Sequence, residues 1–405
     1  MNPDQRMHPA VRSLREGDWT PARFREYLAA AGHPLQQRVS PEEVDVTFVL
    51  ETAGVVDDDT AVHLHELVGS RPTGDRELRP VGASGFRALT GRMRSDVRLA
   101  YAFAAHGPDG PQMLPDPVNP PPSTADTRLA GSLLELPDAE HLPYAPHGLT
   151  GPEPEVVEHV MTSARLGQER RFWVSTPPGW RPDGPPAPCV ILFDGTAGHA
   201  APAVRDALVR EGRIRGVLVV LVDQMGRRDE ELTANPVFSR MVAEELVPWL
   251  REHYGISDRP QDVALSGSSF GGLCAAWTAL HHPGVVGNVL IQSPSCWYHP
   301  DLTRDGAIEV VGEHLPTPLL IDAFTDAEPV AVRVYHEVGR LEGGPPPAQI
   351  RQVLGNRWLH DVLRLRGYDT VYREFAGGHD ALWWRATWAD GMRWLFPGPS
   401  DAGPG

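Results

Sequence analysis

The sequence predicts an α/β catalytic unit built on a mostly parallel sheet and preceded by a smaller β-rich domain. Three observations predict it. From about residue 155 onward, short apolar strands alternate with helical stretches. The run Gly267-Ser268-Ser269-Phe270-Gly271-Gly272 falls at one of the strand-to-helix junctions. Before residue 150 the alternation is missing, and Pro, Gly and Asp are dense.

The 405 residues are too many for one ordinary domain and suit a small domain joined to a larger one. Hydrophobic residues at 41% and charged residues at 22% describe a soluble globular chain. The net charge of −16 comes from 53 acidic and 37 basic residues. Such a surface repels nucleic acid and anionic membranes, so neither is an expected partner. An anionic substrate would need a locally basic pocket. Cys189, Cys274 and Cys296 are odd in number and widely spaced, which predicts buried reduced thiols and no metal site. Reduced thiols fit a cytoplasmic location. The start, Met1-Asn2-Pro3-Asp4, lacks the basic and apolar regions of a signal peptide. No apolar run reaches the roughly 18 residues that a membrane span requires.

Residues 20–31 read as a helix, capped by Thr20, with Pro21 at its first position and Gly32 at its end. Residues 44–50 and 97–103 read as strands, and residues 104–125 as loop. The pattern divides the chain into a sandwich-like β domain over 1–150, a catalytic domain over 151–397 and a disordered tail over 398–405. The first of these is expected to act as a lid or recognition domain. In the catalytic domain strands are expected at 190–193, 217–222, 263–265, 289–291, 332–335 and 371–375. Helices are expected at 201–210, 238–252, 272–280 and 356–366. Continuous apolar strands separated by helices imply a sheet covered on both faces.

A Gly-x-Ser-x-Gly run between a strand and a helix forms a sharp turn that exposes the serine hydroxyl, the nucleophile turn of the α/β-hydrolase fold. The pentapeptide is common, but here the strand 263–265 precedes it and the helix 272–280 follows, which is the context it needs. Ser269 is therefore the expected nucleophile, with the Phe270 N–H as an oxyanion donor. A serine hydroxyl needs a base. His379 follows the last apolar strand across Ala376-Gly377-Gly378 and precedes a final amphipathic helix, so it is the expected general base. The chain order of this fold puts the acid between them. Glu342 is the expected acid, with Asp326 and Asp322 as rivals. The second oxyanion donor is expected on the loop after strand 190–193, at Gly195 or Thr196.

These residues, with several further motifs, resemble the enterochelin (enterobactin) esterase family. The motifs are Leu192-Phe193-Asp194-Gly195, Arg228-x-x-Glu231-Leu232, Glu245-Leu246-Val247-Pro248, Gln292-Ser293, Gly339-x-x-Glu342 and Gly377-Gly378-His379-Asp380-Ala381-Leu382-x-Trp384-Arg385. Asp116-Pro117-x-Asn119-Pro120 is similar to that family's N-terminal domain. Pro294 stands where the family tends to have glycine. The resemblance implies hydrolysis of the trilactone of a ferric catecholate siderophore. No cofactor is then expected, and the iron belongs to the substrate. Arg227, Arg228 and Arg385 are expected to offset the negative field around such a ligand, and Trp297, Trp383 and Trp384 to stack on its rings. Each arginine could instead hold an ion pair, and each tryptophan could be core. The alternatives in function are a related esterase or acyltransferase for another ester or depsipeptide, and a non-catalytic binder on the same fold.

Overall fold

The structure is a computed structural model that describes residues 6–52, 61–66, 77–107, 110–120, 131–145, 149–196, 199–301, 316–342 and 348–399. It divides into two compact units, 1–141 with 376–382, and 142–375 with 383–405.

The first unit opens with α1 (Pro9–Glu16) and α2 (Pro21–Ala31). Thr20 caps α2 as expected, its hydroxyl accepting the Arg23 N–H at 3.3 Å. Eight strands follow among the described residues: β1 (Leu35–Arg38), β2 (Glu43–Glu51), β3 (Ala61–Glu66), β4 (Arg79–Pro80), β5 (Phe86–Arg94), β6 (Arg98–Gly107), β7 (Gly110–Leu114) and β8 (Ser132–Glu135). One sheet runs β1-β2-β5-β4; the other runs β3-β6-β7, with β8 also on β6. Alternate residues of β2 (Val44, Val46, Phe48, Leu50) join Val62 and Leu64 of β3 and Leu99, Tyr101 and Phe103 of β6 in one apolar cluster. The period of two puts every second side chain on the buried face of its sheet.

The loop expected at 104–125 is corrected here. β6 continues to Gly107 and pairs with β7 from Gly107↔Gly110 to Phe103↔Leu114. The turn-forming residues occupy only the tip of this hairpin. Residues 121–125 lie outside the described ones. The Asp116-Pro117-x-Asn119 motif ties this unit together. Asp116 accepts from the Tyr101 hydroxyl and from the Val118 and Asn119 N–H groups, and Asn119 donates to the Leu133 carbonyl at 2.7 Å.

The second unit holds β9 (Val157–Ser163), β10 (Gln168–Ser175), β11 (Cys189–Leu192), α3 (Ala201–Arg210), β12 (Leu218–Val222), α4 (Arg228–Leu232), α5 (Pro236–Met241), α6 (Val247–Tyr254), β13 (Val263–Ser268), α7 (Phe270–His281), β14 (Asn288–Gln292), α8 (Leu319–Asp326), β15 (Arg333–Gly339), α9 (Ala348–Leu365) and β16 (Thr370–Phe375). The last helix is α10 (Ala381–Leu395). The eight-stranded sheet has the order β16-β15-β14-β13-β11-β12-β10-β9. The six strands from β11 to β16 are mutually parallel, so their carboxyl ends share one edge; β10 and β9 are antiparallel.

Both faces of this sheet are covered. Cys189 and Ile191 point to the side that packs Phe238, Met241, Leu250 and Leu273, while Val190 and Leu192 point to the side that packs Val204, Leu208, Trp388 and Met392. Double coverage explains why the parallel strands read as continuous apolar runs. The hairpin β9–β10 was not legible in that way, because charged residues such as Glu158, Glu169 and Arg171 interrupt it. The helix expected at 238–252 is α5 and α6 joined by a π-helical turn at Val242–Leu246. Pro248 lies just beyond; it has no N–H to offer and crowds the preceding turn, which wider winding relieves. The tail expected from 398 begins anchored, since Gly398 donates to the Arg213 carbonyl at 2.8 Å. Residues 400–405 lie outside the described ones.

Arg170 on β10 and Glu231 on α4 form an ion pair with side chains 1% and 2% exposed. The guanidinium also lies 5.7 Å from the Phe238 ring centre. Removing one partner strands a buried charge, which costs about 3–5 kcal/mol. Glu231→Ala is therefore expected to lower thermal stability sharply, as read by a melting curve. An unchanged melting temperature would contradict a structural role for this motif residue.

Candidate active site

β13 ends at Ser268, and α7 begins at Phe270, so a single residue, Ser269, makes the turn between them. Its backbone has φ 56° and ψ −121°, a conformation that side chains other than hydrogen rarely adopt. Close approach of strand and helix forces the turn. A Cβ on Gly267 would stand 2.5 Å from the Gly271 carbonyl carbon. The result is a half-exposed serine at the carboxyl edge of the sheet. Phe270 is the first residue of α7, so its N–H has no carbonyl to bond within the helix.

Hydrogen bonds beyond the strand ends stitch this edge together. Ser269 N–H donates to the Gln292 carbonyl at 3.1 Å, Ser293 N–H to the Glu337 carbonyl at 2.7 Å, and Arg340 N–H to the Phe375 carbonyl at 2.8 Å. Ser295 is 1% exposed, and its hydroxyl stands 3.3 Å from the Ser269 hydroxyl.

Glu342 is buried just beyond β15. Its Oε1 accepts from the Gly339 N–H at 2.6 Å and from the Ser293 hydroxyl, and its Oε2 accepts from Gln352 Nε2 at 3.2 Å. Trp384 Nε1 in turn donates to the Ser293 hydroxyl at 2.9 Å. The rivals Asp322 and Asp326 both lie exposed on α8. His379 lies on the loop between β16 and α10, the loop that leaves the same carboxyl edge.

A second carboxylate, which sequence reasoning missed, lies five residues earlier, within β15. Glu337 is fully buried on β15, and its Oε1 accepts from Gln292 Nε2 at 2.7 Å and Thr387 Oγ1 at 2.5 Å. Burial pushes its carboxyl up to about 7, against the lowering pull of those two hydrogen bonds and of Arg373. A glutamate flanked by Tyr335, His336 and Val338 in a buried strand was the available signal. Ser293, Ser295 and Gln352 were also missed; only the Gln292-Ser293 pair stood out, and without a role.

The expected oxyanion donor Gly195 is corrected. Its N–H donates to the Val222 carbonyl at 3.0 Å, leaving Thr196 as the residue of that pair whose N–H could serve. Gly195 is needed for space instead, since a Cβ there would stand 2.6 Å from the Leu221 Cα. The expected binding residues divide. Trp297 is half-buried, with its ring 5.9 Å from that of Phe270. Arg227 is open, its side chain 48% exposed and 3.9 Å from Glu230. Arg228 forms a two-point ion pair with Asp194, at 2.8 and 2.7 Å. Arg385 is buried, 4% exposed, and burial pulls its guanidinium down to about 10. Trp383 is core, stacked on Phe375 at 4.7 Å. Trp384 uses its N–H on Ser293. Among the described residues no cluster of three or more His, Cys, Asp or Glu is arranged to hold a metal ion. No described helix is long and apolar enough to cross a membrane.

A parallel sheet that releases a serine at positive φ onto a helix N-terminus defines an α/β-hydrolase type of ester hydrolase. The Esterase family model, described as “Putative esterase”, matches residues 163–395. The chain is 30% identical over 291 residues to an iron(III) enterobactin esterase of Escherichia coli, covering 70% of this chain and 67% of that one. It is 31% identical over 242 residues to the iron(III) enterobactin esterase of Dickeya dadantii, covering 58% of this chain and 54% of that relative, about half its length. The fold matches the enterobactin esterase of Shigella flexneri, crystallised in the presence of enterobactin, with a TM-score of 0.70 and 24% identity over 91% of this chain and 97% of that one. The chain belongs to the Esterase family, within its enterobactin esterase group.

The Glu337 carboxyl makes stability depend on pH. Its folded-state value lies above the ordinary carboxylate value, so its stabilising effect is complete below that ordinary value and is lost as pH rises through about 7. Glu337→Gln keeps the oxygen acceptor and removes the titration. The variant's melting temperature relative to wild type is expected to be more favourable near pH 8 than near pH 5, within the roughly two-unit window that linkage defines. An equal difference at both pH values would contradict the raised value.

Proposed function

We propose that this chain is a cytoplasmic serine esterase that opens the ester backbone of an iron-loaded catecholate trilactone of the enterobactin type. Linear products result, and iron release follows. The observation that carries the chemistry is Ser269 at φ 56° on the carboxyl edge, beside the N-terminus of α7. The relatives' names supply the substrate: they are iron(III) enterobactin esterases.

In this reading Ser269 Oγ attacks a lactone carbonyl while His379 takes its proton. The N–H groups of Phe270 and Thr196 hold the oxyanion. Glu342, held in place by three donors, orients the imidazole and stabilises its charged form. Collapse releases the ring-opened serine hydroxyl and leaves an acyl-enzyme, which one water hydrolyses to a carboxylate. Protein groups perform every step, without a metal or nucleotide cofactor. Trp297, beside Phe270, is the aromatic surface we assign to a catechol ring. Arg227 is the open cation for the anionic ligand. Residues 1–150 are assigned a sandwich-like recognition role.

The alternative is a related esterase or acyltransferase for another ester or depsipeptide. Engagement of Arg228 by Asp194 and burial of Arg385 favour it, because both subtract from the charge available to an anion.

Incubation with ferric enterobactin, followed by mass analysis, is expected to yield linear dihydroxybenzoyl-serine oligomers. Ser269→Ala and His379→Ala should each reduce turnover by on the order of 10⁶-fold, and Glu342→Ala by less. Asp326→Ala should leave it near wild type. Turnover of neutral aryl esters without any such oligomers would favour the alternative substrate. A larger loss in Asp326→Ala than in Glu342→Ala would move the acid. A chain starting near Gly151 is expected to keep small aryl esters and lose the trilactone; retention of both would remove the recognition role.

A further inference from the structure

Arg228 entered as a candidate for substrate charge, yet its side chain is engaged elsewhere. Its Nε and Nη2 meet the two carboxylate oxygens of Asp194 at 2.8 and 2.7 Å. Such a planar two-point pair fixes orientation as well as distance. The same guanidinium lies 5.5 Å from the centre of the Phe270 ring. Arg228 thus bridges the loop after β11 and the first residue of α7. These two segments carry the expected oxyanion donors, Thr196 and Phe270.

Each end of the bridge is anchored. Asp194 stands at φ 57°, and its N–H donates to Gln224 Oε1 at 3.0 Å. A Cβ on Gly271 would stand 3.4 Å from the Asp194 carboxylate, so that group lies against the first turn of α7. At the other end Arg228 opens α4, which the buried ion pair of Glu231 with Arg170 holds to β10.

We propose that Arg228 is a positioning residue for the oxyanion hole: paired with Asp194, it sets the loop bearing Thr196 against Phe270, so that both N–H groups face one point. This rests on the esterase reading above. An oxyanion hole works because its donors are fixed before charge develops, and loss of one donor costs about 10²–10³ in kcat. A donor set slightly out of place costs less, but it costs in kcat rather than in substrate affinity.

The test is steady-state kinetics on a neutral aryl ester, which an arginine serving substrate charge would not affect. Arg228→Ala is expected to lower kcat roughly 10-fold or more, with KM within about threefold. Arg228→Lys keeps the charge but not the two-point geometry, and is expected to fall between wild type and Arg228→Ala in kcat. It also serves if the alanine variant fails to fold. Since the pair acts as a unit, Arg228→Ala/Asp194→Ala should lose no more than the worse single variant. Wild-type kcat on the neutral ester, with a raised KM for the ferric trilactone alone, would overturn the proposal and return Arg228 to substrate binding. Additive losses in the double variant would also overturn it. Ser269→Ala run in parallel separates the two claims: if it still turns over, the esterase reading itself has failed; if it is dead while Arg228→Ala is normal, only the positioning role has failed.

Discussion

The approach of β13 to α7 is the constraint on which the site depends. Gly267 lets the helix come within a distance that any side chain would block, and the chain can then turn only through Ser269 in a disfavoured conformation. Such a conformation costs about 1–3 kcal/mol and persists only where surrounding structure over-determines it. The strain is not isolated. Among the described residues, five that are not glycine have positive φ, and four of them follow the carboxyl ends of adjacent parallel strands: Met225 after β12, Asp194 after β11, Ser269 after β13 and Ser293 after β14. The parallel sheet supplies a rigid edge, and the chain spends its unfavourable conformations along it, where side chains must be aimed.

Charge along that edge is handled by burial and pairing. Glu342 accepts from the Gly339 N–H, the Ser293 hydroxyl and Gln352 Nε2. Glu337, five residues earlier on β15, is fully buried, and burial pushes its carboxyl toward the neutral form. Two glutamates on one strand-and-loop segment therefore sit in different surroundings, set by what each touches. The arginines divide likewise. Arg228 and Arg385 are taken up by the protein, and Arg227 remains open on a chain whose net charge is −16.

Much of this was legible in the sequence, and the reasons are physical. Strands buried on both faces show as apolar runs, so β11 to β14 could be placed; helix α3 matched its expected bounds. The serine turn was legible because few sequences satisfy its steric demands in the right context. The hairpin β9–β10 was not, since half its residues face solvent and its charges break the pattern. The misassignment of Gly195 had another source. Its N–H is consumed by Val222, a residue 27 positions later that only the sheet order brings alongside. The chain from Trp384 through Ser293 to Glu342 joins residues 91 and 49 positions apart, and no local pattern announces such contacts.

The central claim is that the strained serine is a reactive nucleophile served by His379. The most direct measurement is labelling with a fluorophosphonate, followed by peptide mass analysis. The account predicts one stoichiometric adduct on the peptide containing Ser269 in the wild-type protein, and none at a comparable rate in His379→Ala. An unlabelled Ser269 in the folded protein, or equal labelling in His379→Ala, would contradict it.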